Sequence, residues 1–342
     1  MGCSSIIFKR LQLAFLTTAL ASPAAHAQQS QNFYAGSKIN VVIGLGSGGA
    51  YDVHARLLAR HMGKHIEGNP VLVPQNMTGA GGLVMANWLY NVAPKDGSTF
   101  GAVANTMPAL QVVGGNGVQF DARRFFWLGA VTPSIQTIGA WRERGVLTLE
   151  EARKTELVVA ASSPGAIAYA FPKLLNEFVG TRFKIITGYQ GVTQMSLAVE
   201  RREVDAHANT WSGWKTSNRE WLDQGKIVIL AQILPKAIDL PNVPAVEDMV
   251  TGEDERKIVN FVVSGNRIGR PFATPPGVPA DRVATLRKAF AATMADAEFQ
   301  QDASRLNVDV APVRGEDIQA LVETTTSIDP RLTERAKPFL AD

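Results

Sequence analysis

The chain has 342 residues, of which 46% are hydrophobic and 19% are charged. These proportions are typical of a globular protein, and the length allows two packed domains. The net charge of +3 falls to +1 without Lys9 and Arg10 of the N-terminal segment, because 32 basic residues then face 31 acidic ones. This balance excludes a basic surface for nucleic acid or for an anionic membrane.

Residues 1–27 have the pattern of a secretory signal peptide. Lys9 and Arg10 precede an apolar run at Leu11–Ala21, and Ala25–Ala27 offers the small-x-small motif of a cleavage site. The run has about half of the ~20 residues that span a bilayer. We therefore expect a mature protein that is soluble and exported to the periplasm.

The cysteine count supports the same interpretation. The only cysteine, Cys3, lies inside this segment and before the apolar run, whereas a lipoprotein acceptor follows such a run. The mature chain would then have no thiol. Its absence excludes disulfides, thiolate nucleophiles and cysteine metal sites.

The first motif is the stretch "VVIGLGSGGAYD", Val41–Asp52, which predicts a strand, a glycine turn and a helix. Three of its glycines have the GxGxxG spacing of a dinucleotide site. Such a site needs an acidic residue at the end of the next strand, to hold the ribose. That strand, Pro70–Asn76, ends in Gln75 and Asn76, which disfavours a dinucleotide.

A second glycine cluster, Gly79–Gly82 in "NMTGAGGLVMANWLYN", follows this strand. In a parallel sheet, both turns lie at the carboxyl ends of their strands, where open α/β sheets bind ligands. Glycine lets the backbone approach a ligand closely, and the N–H groups at a helix start favour negative charge. The two turns predict a cradle for a small anion, although glycines also serve only to tighten such turns.

The segment Lys38–Phe100 carries a combination of motifs. The positions that carry it are Gly48, Gly49, Asp52, Asn76, Gly79, Ala80, Gly81, Gly82, Asp96, Gly97 and Thr99. Through them the segment resembles the substrate-binding proteins of tripartite tricarboxylate transporters, the Bug or TctC-like family. The later stretches "ASSPGAIAYAFPKLL", "ITGYQGVTQMSLAVERREVDA" and "GRPFATPPGVPADRVATLRKAF" are also similar to that family. The resemblance therefore covers nearly all of the mature chain.

The resemblance implies a type II periplasmic-binding-protein fold, in which two α/β domains are joined by crossover strands and hold the ligand between them. The alternation of strand-like and helix-like segments independently favours parallel βα units. We assign residues 34–133 and 258–342 to a discontinuous first domain and residues 134–257 to the second.

The resemblance, together with the residues that depart from the family at the same turns, predicts the ligand-binding residues. In the first domain these are Ser47, Gly48, Gly49, Tyr51, Asp52, Thr78, Gly79, Ala80, Gly81 and Thr106. In the second domain they are Ser162, Ser163, Gly165, Ala166, Gln190, Gly191, Asn209 and Trp211. We expect these residues to bind through backbone N–H groups and short side chains, because a buried lysine or arginine would have to be desolvated.

Three of these positions leave alternatives open. Ser47 and Thr78 replace prolines of the family and widen the hydrogen-bonding options at the cleft rim. Tyr51 could stack on an aromatic ligand or lie at the surface. Asp52 would repel a carboxylate, so it could contact an amine or a hydroxyl, act through water, or pair with Arg56 one turn along the helix.

Other chemistry has weaker support in the sequence. His54, His61 and His65 share a helix face and could hold zinc, but a solvated face explains them better, and His207 is more consistent with a structural role. The cluster Trp211, Trp214 and Trp221 fits burial between helix and sheet, with Trp211 as a possible ligand contact. No GxSxG motif is present, and we do not expect an enzyme. We also expect no metal and no cofactor.

Three functions remain at this stage. The chain could be an extracytoplasmic receptor that closes on a small organic anion and delivers it to the integral-membrane permease of a tripartite tricarboxylate-type transporter. It could instead report the ligand to a membrane sensor, or be an exported enzyme. We expect a monomer, because closure needs both domains free.

Overall fold

The computed structural model of the protein describes residues 33–162, 166–189 and 191–340. The predicted signal peptide and the predicted site residues Ser163, Gly165 and Gln190 lie outside the described residues. In the part of the chain that is described, no helix is both long enough and apolar enough to span a bilayer.

The described residues form eleven strands and fifteen complete α-helices. The strands are β1 (Lys38–Ile43), β2 (Val71–Asn76), β3 (Thr99–Ala102), β4 (Phe126–Ala130), β5 (Gln136–Trp141), β6 (Leu157–Ala160), β7 (Phe183–Ile186), β8 (Ala206–Thr210), β9 (Ile227–Gln232), β10 (Pro271–Thr274) and β11 (Val313–Arg314). The helices are α1 (Ala50–Met62), α2 (Leu83–Asn91), α3 (Met107–Val112), α4 (Leu149–Ala152), α5 (Ile167–Leu174), α6 (Val192–Glu200), α7 (Trp211–Ser217), α8 (Arg219–Asp223), α9 (Val246–Met249), α10 (Glu253–Val262), α11 (Ser264–Ile268), α12 (Ala280–Ala295), α13 (Ala297–Arg305), α14 (Gly315–Thr326) and α15 (Pro330–Leu340).

The first sheet has the strand order β11-β4-β10-β3-β1-β2. Strand β1 runs parallel to β2 and β3, whereas β10 runs antiparallel to β3 and β4. The register pairs Ile43 with Asn76 at the ends of β1 and β2. Both glycine turns therefore leave the sheet from the same edge, as the sequence predicts.

The second sheet has the order β7-β6-β8-β5-β9. Strand β6 runs parallel to β7 and β8, and β5 runs antiparallel to β8 and β9. The two mixed sheets confirm the predicted α/β architecture. Apolar residues fill both sides of the second sheet, including Trp211, Trp214 and Trp221, so the tryptophan cluster is core packing.

Helix α15 packs against the second sheet, although the predicted domain boundaries assign it to the first domain. These boundaries place residues 258–342 in the first domain, but Leu332, Ala336 and Phe339 pack into the hydrophobic core of the second sheet. Helix α10 contributes Ile258 and Phe261 to the same core. An amphipathic helix packs wherever its apolar face is covered, and its position in the chain does not determine that partner.

Two crossover segments connect the sheets, residues 131–135 and residues 264–270. They bind each other: the Ser134 N–H donates to the Asn266 carbonyl at 2.8 Å, and the Asn266 side-chain amide donates to the Ser134 carbonyl at 3.0 Å. Gly269 has a φ of +76°, and a Cβ there would overlap the Thr132 carbonyl oxygen. The connection between the sheets is therefore a tight, hydrogen-bonded pair.

His54 and His61 of α1 and His65 just after it do not form the solvated face that the sequence suggested. His54 is only 4% exposed and His61 only 9%. The His61 ring nitrogen lies 2.9 Å from an Asp302 carboxylate oxygen, and the His65 ring nitrogen lies 2.8 Å from one of Asp296. Helix α13 covers this face, which the local sequence of α1 could not show.

Candidate functional site

A cavity of about 410 Å³ lies where the elements of the two sheets meet, and we call it the cleft pocket. Its volume is in the range of small-molecule sites. Its lining is formed by Tyr51, Ala80, Gly81, Asn105, Thr106, Met107, Ala109, Leu110, Val113, Ser134, Gln136, Ala166, Ile167, Ala170, Thr210, Val262, Gly265, Asn266, Arg270 and Leu340.

A second cavity of about 370 Å³, the side pocket, shares Thr210 and Arg270 with the cleft pocket. Its other lining residues are Gly48, Ala50, Val53, His54, Thr132, Pro133, Ile135, Trp211, Ser212, Gly213, Thr216, Ser217, Leu306, Asn307, Val308 and Asp309. The first glycine turn thus borders the side pocket, whereas the second borders the cleft pocket. The two turns do not line one common cradle.

The second glycine turn has the geometry that the sequence predicts for a ligand-binding loop. Gly79, Ala80, Gly81 and Gly82 all have positive φ, with +45° at Ala80 and +63° at Gly81. A left-handed conformation costs a non-glycine residue about 1 kcal/mol or more, so Ala80 is held against its own preference. A Cβ at Gly81 would meet open space, and both residues line the cleft pocket.

The first glycine turn is held by Asp52 instead of being free for a ligand. The Asp52 carboxylate accepts the Gly48 N–H at 3.0 Å, Arg56 Nε at 2.9 Å and Asn76 Nδ2 at 3.0 Å. These hydrogen bonds, the one from Arg56 first, lower the pKa of Asp52 to about 2. The predicted pairing with Arg56 is confirmed, and Asp52 lines neither pocket.

Tyr51 is neither a surface residue nor a free stacking platform. Its hydroxyl oxygen accepts the Asn105 N–H at 2.9 Å, which leaves the hydroxyl hydrogen to donate elsewhere. Burial raises its pKa to about 12, so the hydroxyl stays protonated at neutral pH. The phenol therefore presents a donor at the wall of the cleft pocket.

The sequence reasoning missed Arg270, the residue that follows Gly269 in the second crossover. Its guanidinium carbon lies 6.0 Å from the centroid of the Tyr51 ring. Within the described residues it makes no hydrogen bond or ion pair, while burial lowers its pKa. Arginine nevertheless remains charged in proteins. The sequence analysis expected binding without a buried lysine or arginine, whereas the structure places Arg270 in the wall of the cleft pocket.

No acidic side chain is among the described residues that line the cleft pocket, and Arg270 is the charged one. The side pocket differs, because Asp309 and His54 line it together with Arg270. Burial, and next the positive charge of Arg270, lower the pKa of His54 to about 3. His54 is therefore neutral. Arg270 gives the cleft pocket a net positive charge.

The other predicted site residues divide into two groups. Thr106 and Ala166 line the cleft pocket and Trp211 lines the side pocket, where its Nε1 also donates to Asp239 at 2.6 Å. The predicted site residues that are described but line neither pocket are Ser47, Gly49, Thr78, Gly79, Ser162, Gly191 and Asn209. Asn209 is buried in β8, and its amide nitrogen has no hydrogen-bond partner among the residues that the structure describes.

Polar lining residues beyond Arg270 also went unpredicted. They are Asn105, Ser134, Gln136, Thr210 and Asn266. A signal existed only for Thr210, which directly follows the predicted site residue Asn209 in "DAHANTW". The others are single polar residues between apolar ones, and they become neighbours only through the pairing of strands and crossovers.

One group of side chains in the described residues has the spacing of metal ligands, namely His61, Asp296 and Glu298. The Lys64 ammonium lies between its acidic members, 2.7 Å from Asp296 and 2.5 Å from Glu298. A positive charge already occupies the position of a cation. We therefore assign no metal to this group.

Comparison with known proteins gives the fold a precedent. A TctC solute-binding protein from Polaromonas, solved without a ligand, superposes with a TM-score of 0.69 at 18% identity and covers 88% of this chain and 99% of its own. The chain has the fold of a TctC solute-binding protein. This confirms the predicted periplasmic-binding-protein fold.

Sequence comparison agrees with this TctC fold. A curated relative, the UPF0065 protein in the gbd 5′ region of Cupriavidus necator, is 24% identical over 320 residues, which cover 88% of each chain. No protein-family model matches the chain.

Two further structures with this fold hold dicarboxylates. MatC from Rhodopseudomonas palustris, with bound malate, has a TM-score of 0.59 at 20% identity and covers 88% of this chain and 99% of its own. A second R. palustris protein, with adipate, has a TM-score of 0.61 at 19% identity, with coverages of 88% and 97%.

Proposed function

We propose that this protein is an extracytoplasmic solute receptor of the Bug or TctC-like family that binds a small organic anion in the cleft pocket. The observation that carries the proposal is the guanidinium of Arg270, which has no hydrogen-bond or ion-pair partner among the described residues. It lies in a pocket between the two sheets whose described lining residues include no acidic side chain. A guanidinium is suited to a carboxylate, because its N–H groups match the two oxygens. The malate and adipate of the similar structures have the same chemistry.

A binding role fits the pocket better than catalysis. Its polar lining residues are Arg270, hydroxyls and amides, together with the protonated phenol of Tyr51. General acid–base catalysis needs a group whose pKa lies near neutrality, and these groups do not supply one. The proposed role is therefore to bind the ligand and release it unchanged.

The location and the partner belong to the same proposal. The pattern of residues 1–27 supports export, and the similar proteins are solute-binding proteins. We propose that the closed, ligand-bound form delivers its ligand to the permease subunits of a tripartite tricarboxylate-type transporter. Mass spectrometry of the full chain, expressed with its own N-terminal segment, tests export through cleavage after Ala27.

The first functional experiment is a thermal-shift screen of the exported protein against organic acids, amino acids and aromatic carboxylates. A ligand that binds only the folded state stabilises it by about 2.7 kcal/mol at a hundredfold excess over its Kd. We expect carboxylates to raise the Tm. A folded, ligand-free protein that no carboxylate stabilises would overturn the proposal.

A matched pair of glycine variants tests whether the cleft pocket is the site. Gly81 and Gly36 have nearly the same φ, +63° and +65°, and both face open space. Valine at either position is strained to a similar degree, but only Gly81→Val places its side chain in the pocket. We expect the ligand-induced shift to be lost in Gly81→Val and kept in Gly36→Val.

A further inference from the structure

The cleft pocket has one polar end, which lies at the crossovers. Ser134 and Arg270 of the crossovers line the pocket here, together with Gln136 and with Tyr51, whose ring centroid lies 6.0 Å from the Arg270 guanidinium carbon. Within the described residues, neither the Ser134 hydroxyl nor the Gln136 side chain has a hydrogen-bond partner, whereas Asn266 binds the Ser134 carbonyl. Several donors therefore surround one cation.

The other end of the pocket is apolar. The residues that line it and pack within a single hydrophobic cluster are Ala109, Val113, Ile167, Ala170, Val262 and Leu340. They come from the end of α3, the start of α5, the end of α10 and the end of α15. Among the described residues, these surfaces carry no charged side chain that could pair with a second carboxylate.

Lys173 is the cation on the same helix, α5, but it does not line the pocket. Its ammonium donates to the Pro338 carbonyl at 2.7 Å and to the Tyr169 hydroxyl at 3.2 Å. It already has its partners and holds α15 against α5. It does not provide a second anion site inside the pocket.

We propose that the ligand is a monocarboxylate with an apolar tail, whose carboxylate binds Arg270 and the Tyr51 hydroxyl and whose tail lies between α3, α5 and α15. The inference rests on the proposed function and narrows its ligand class. It separates this protein from its structural neighbours with malate and adipate, because a second carboxylate would lose its water at the apolar end without a partner.

The test is isothermal titration calorimetry with matched ligands. It uses the exported protein, which is first unfolded and refolded to remove any bound molecule. The probes are butanoate, hexanoate and octanoate, with adipate as the six-carbon dicarboxylate and hexanamide as the uncharged analogue. We expect hexanoate to bind at least tenfold more tightly than either adipate or hexanamide. Two added methylenes strengthen binding about 15-fold if they are buried, so octanoate should exceed hexanoate by that factor.

The outcomes separate the two proposals. Adipate binding more tightly than hexanoate would overturn the monocarboxylate inference while supporting the carboxylate receptor, and an affinity that does not grow with chain length would overturn the tail assignment. A protein that binds hexanamide as well as hexanoate would overturn the carboxylate receptor itself. These comparisons use the unaltered protein, so they do not depend on a variant folding.

Two variants then assign the ends of the pocket. Arg270→Gln removes the charge and should weaken hexanoate at least thirtyfold but hexanamide much less, because only the carboxylate loses an ion pair. Val113→Lys places a cation at the apolar end and should reverse the preference between hexanoate and adipate. Circular dichroism and the Tm establish that each variant folds, and a folded Val113→Lys that still prefers hexanoate would contradict the inference.

Discussion

The Asp52 carboxylate accepts the backbone N–H of Gly48 at 3.0 Å, and this bond decides how the first glycine turn is used. A turn whose N–H is already bound by its own helix does not offer that group to an anion. The same carboxylate also binds Arg56 and Asn76, so it joins the turn to the end of β2. The role of Asp52 is therefore to hold the turn in place.

Replacing this carboxylate should weaken the fold more than binding. Asp52→Asn loses the ion pair with Arg56 and at least one of three hydrogen bonds to a buried acceptor, which predicts a loss of about 1–3 kcal/mol in the free energy of unfolding. Urea unfolding measures this loss. Asp317→Asn on α14 is the matched control, because its pair with Arg314 is exposed and should contribute under 1 kcal/mol. Equal losses in the two variants would contradict the structural role of Asp52.

The crossover at Gly269 gives a second prediction. Alanine at Gly269 is strained by its φ of +76°, and its Cβ would overlap the Thr132 carbonyl oxygen. Gly145 has a φ of +74° and faces open space, so Gly145→Ala reports the strain alone, about 1 kcal/mol. We expect Gly269→Ala to lose at least 2 kcal/mol more than this control in urea unfolding. A difference near zero would contradict this, because it would mean that the crossovers move apart to accept the added Cβ at little cost in free energy.

The sequence predicted the parts of the site that depend on local pattern. Glycines after two consecutive apolar strands place both turns at one sheet edge, because parallel neighbours end together, and Ala80 and Gly81 indeed line the cleft pocket. The sequence could not predict which turn faces which pocket. The first turn is tied to the end of β2 by the hydrogen bond that the Asn76 amide donates to Asp52, and no periodicity encodes this contact.

Arg270 shows a different limit. The residue stands in a segment used for the family resemblance, yet a single arginine before a strand usually reaches solvent. It becomes a pocket residue because two crossovers, more than 130 residues apart in the chain, bind each other at Ser134 and Asn266. The burial of His61 against Phe299 has the same kind of cause, since α1 and α13 are distant in sequence.

The Tyr51 hydroxyl gives a third prediction, which concerns binding. Tyr51→Phe removes the acceptor of the Asn105 N–H and the donor that faces the pocket. We expect ligand affinity to fall about tenfold and the free energy of unfolding to fall by about 1 kcal/mol. Tyr90→Phe is the control, since its ring packs on Phe125 outside both pockets. Tyr51→Phe with unchanged affinity would mean that the hydroxyl does not contact the ligand.

Two of the buried histidines, His54 and His207, predict how stability depends on pH. Burial lowers the pKa of His54 to about 3 and that of His207 to about 4, whereas an unfolded histidine titrates near 6.5. Below pH 6.5 the unfolded state therefore binds more protons than the folded one. The stability is fully present above pH 6.5 and declines as the pH falls towards the folded pKa values. At pH 5 each histidine lowers the free energy of unfolding by about 2 kcal/mol.

Urea unfolding at pH 7 and pH 5 checks this window. The drop between the two pH values should be smaller by about 2 kcal/mol in His54→Gln and in His207→Gln than in the unaltered protein, whatever their stability at pH 7. His207 lines neither pocket, and its ring binds Ser196 and the Ala208 carbonyl, so it separates the effect of burial from a direct contact with ligand. Asp52→Asn is the control, because the lowered pKa of Asp52 keeps its stabilisation fully present above about pH 4. Its drop between pH 7 and pH 5 should match that of the unaltered protein. An unchanged drop in both histidine variants would show that these rings take up protons in the folded state, which is incompatible with neutral, buried imidazoles beside Arg270 and Trp214.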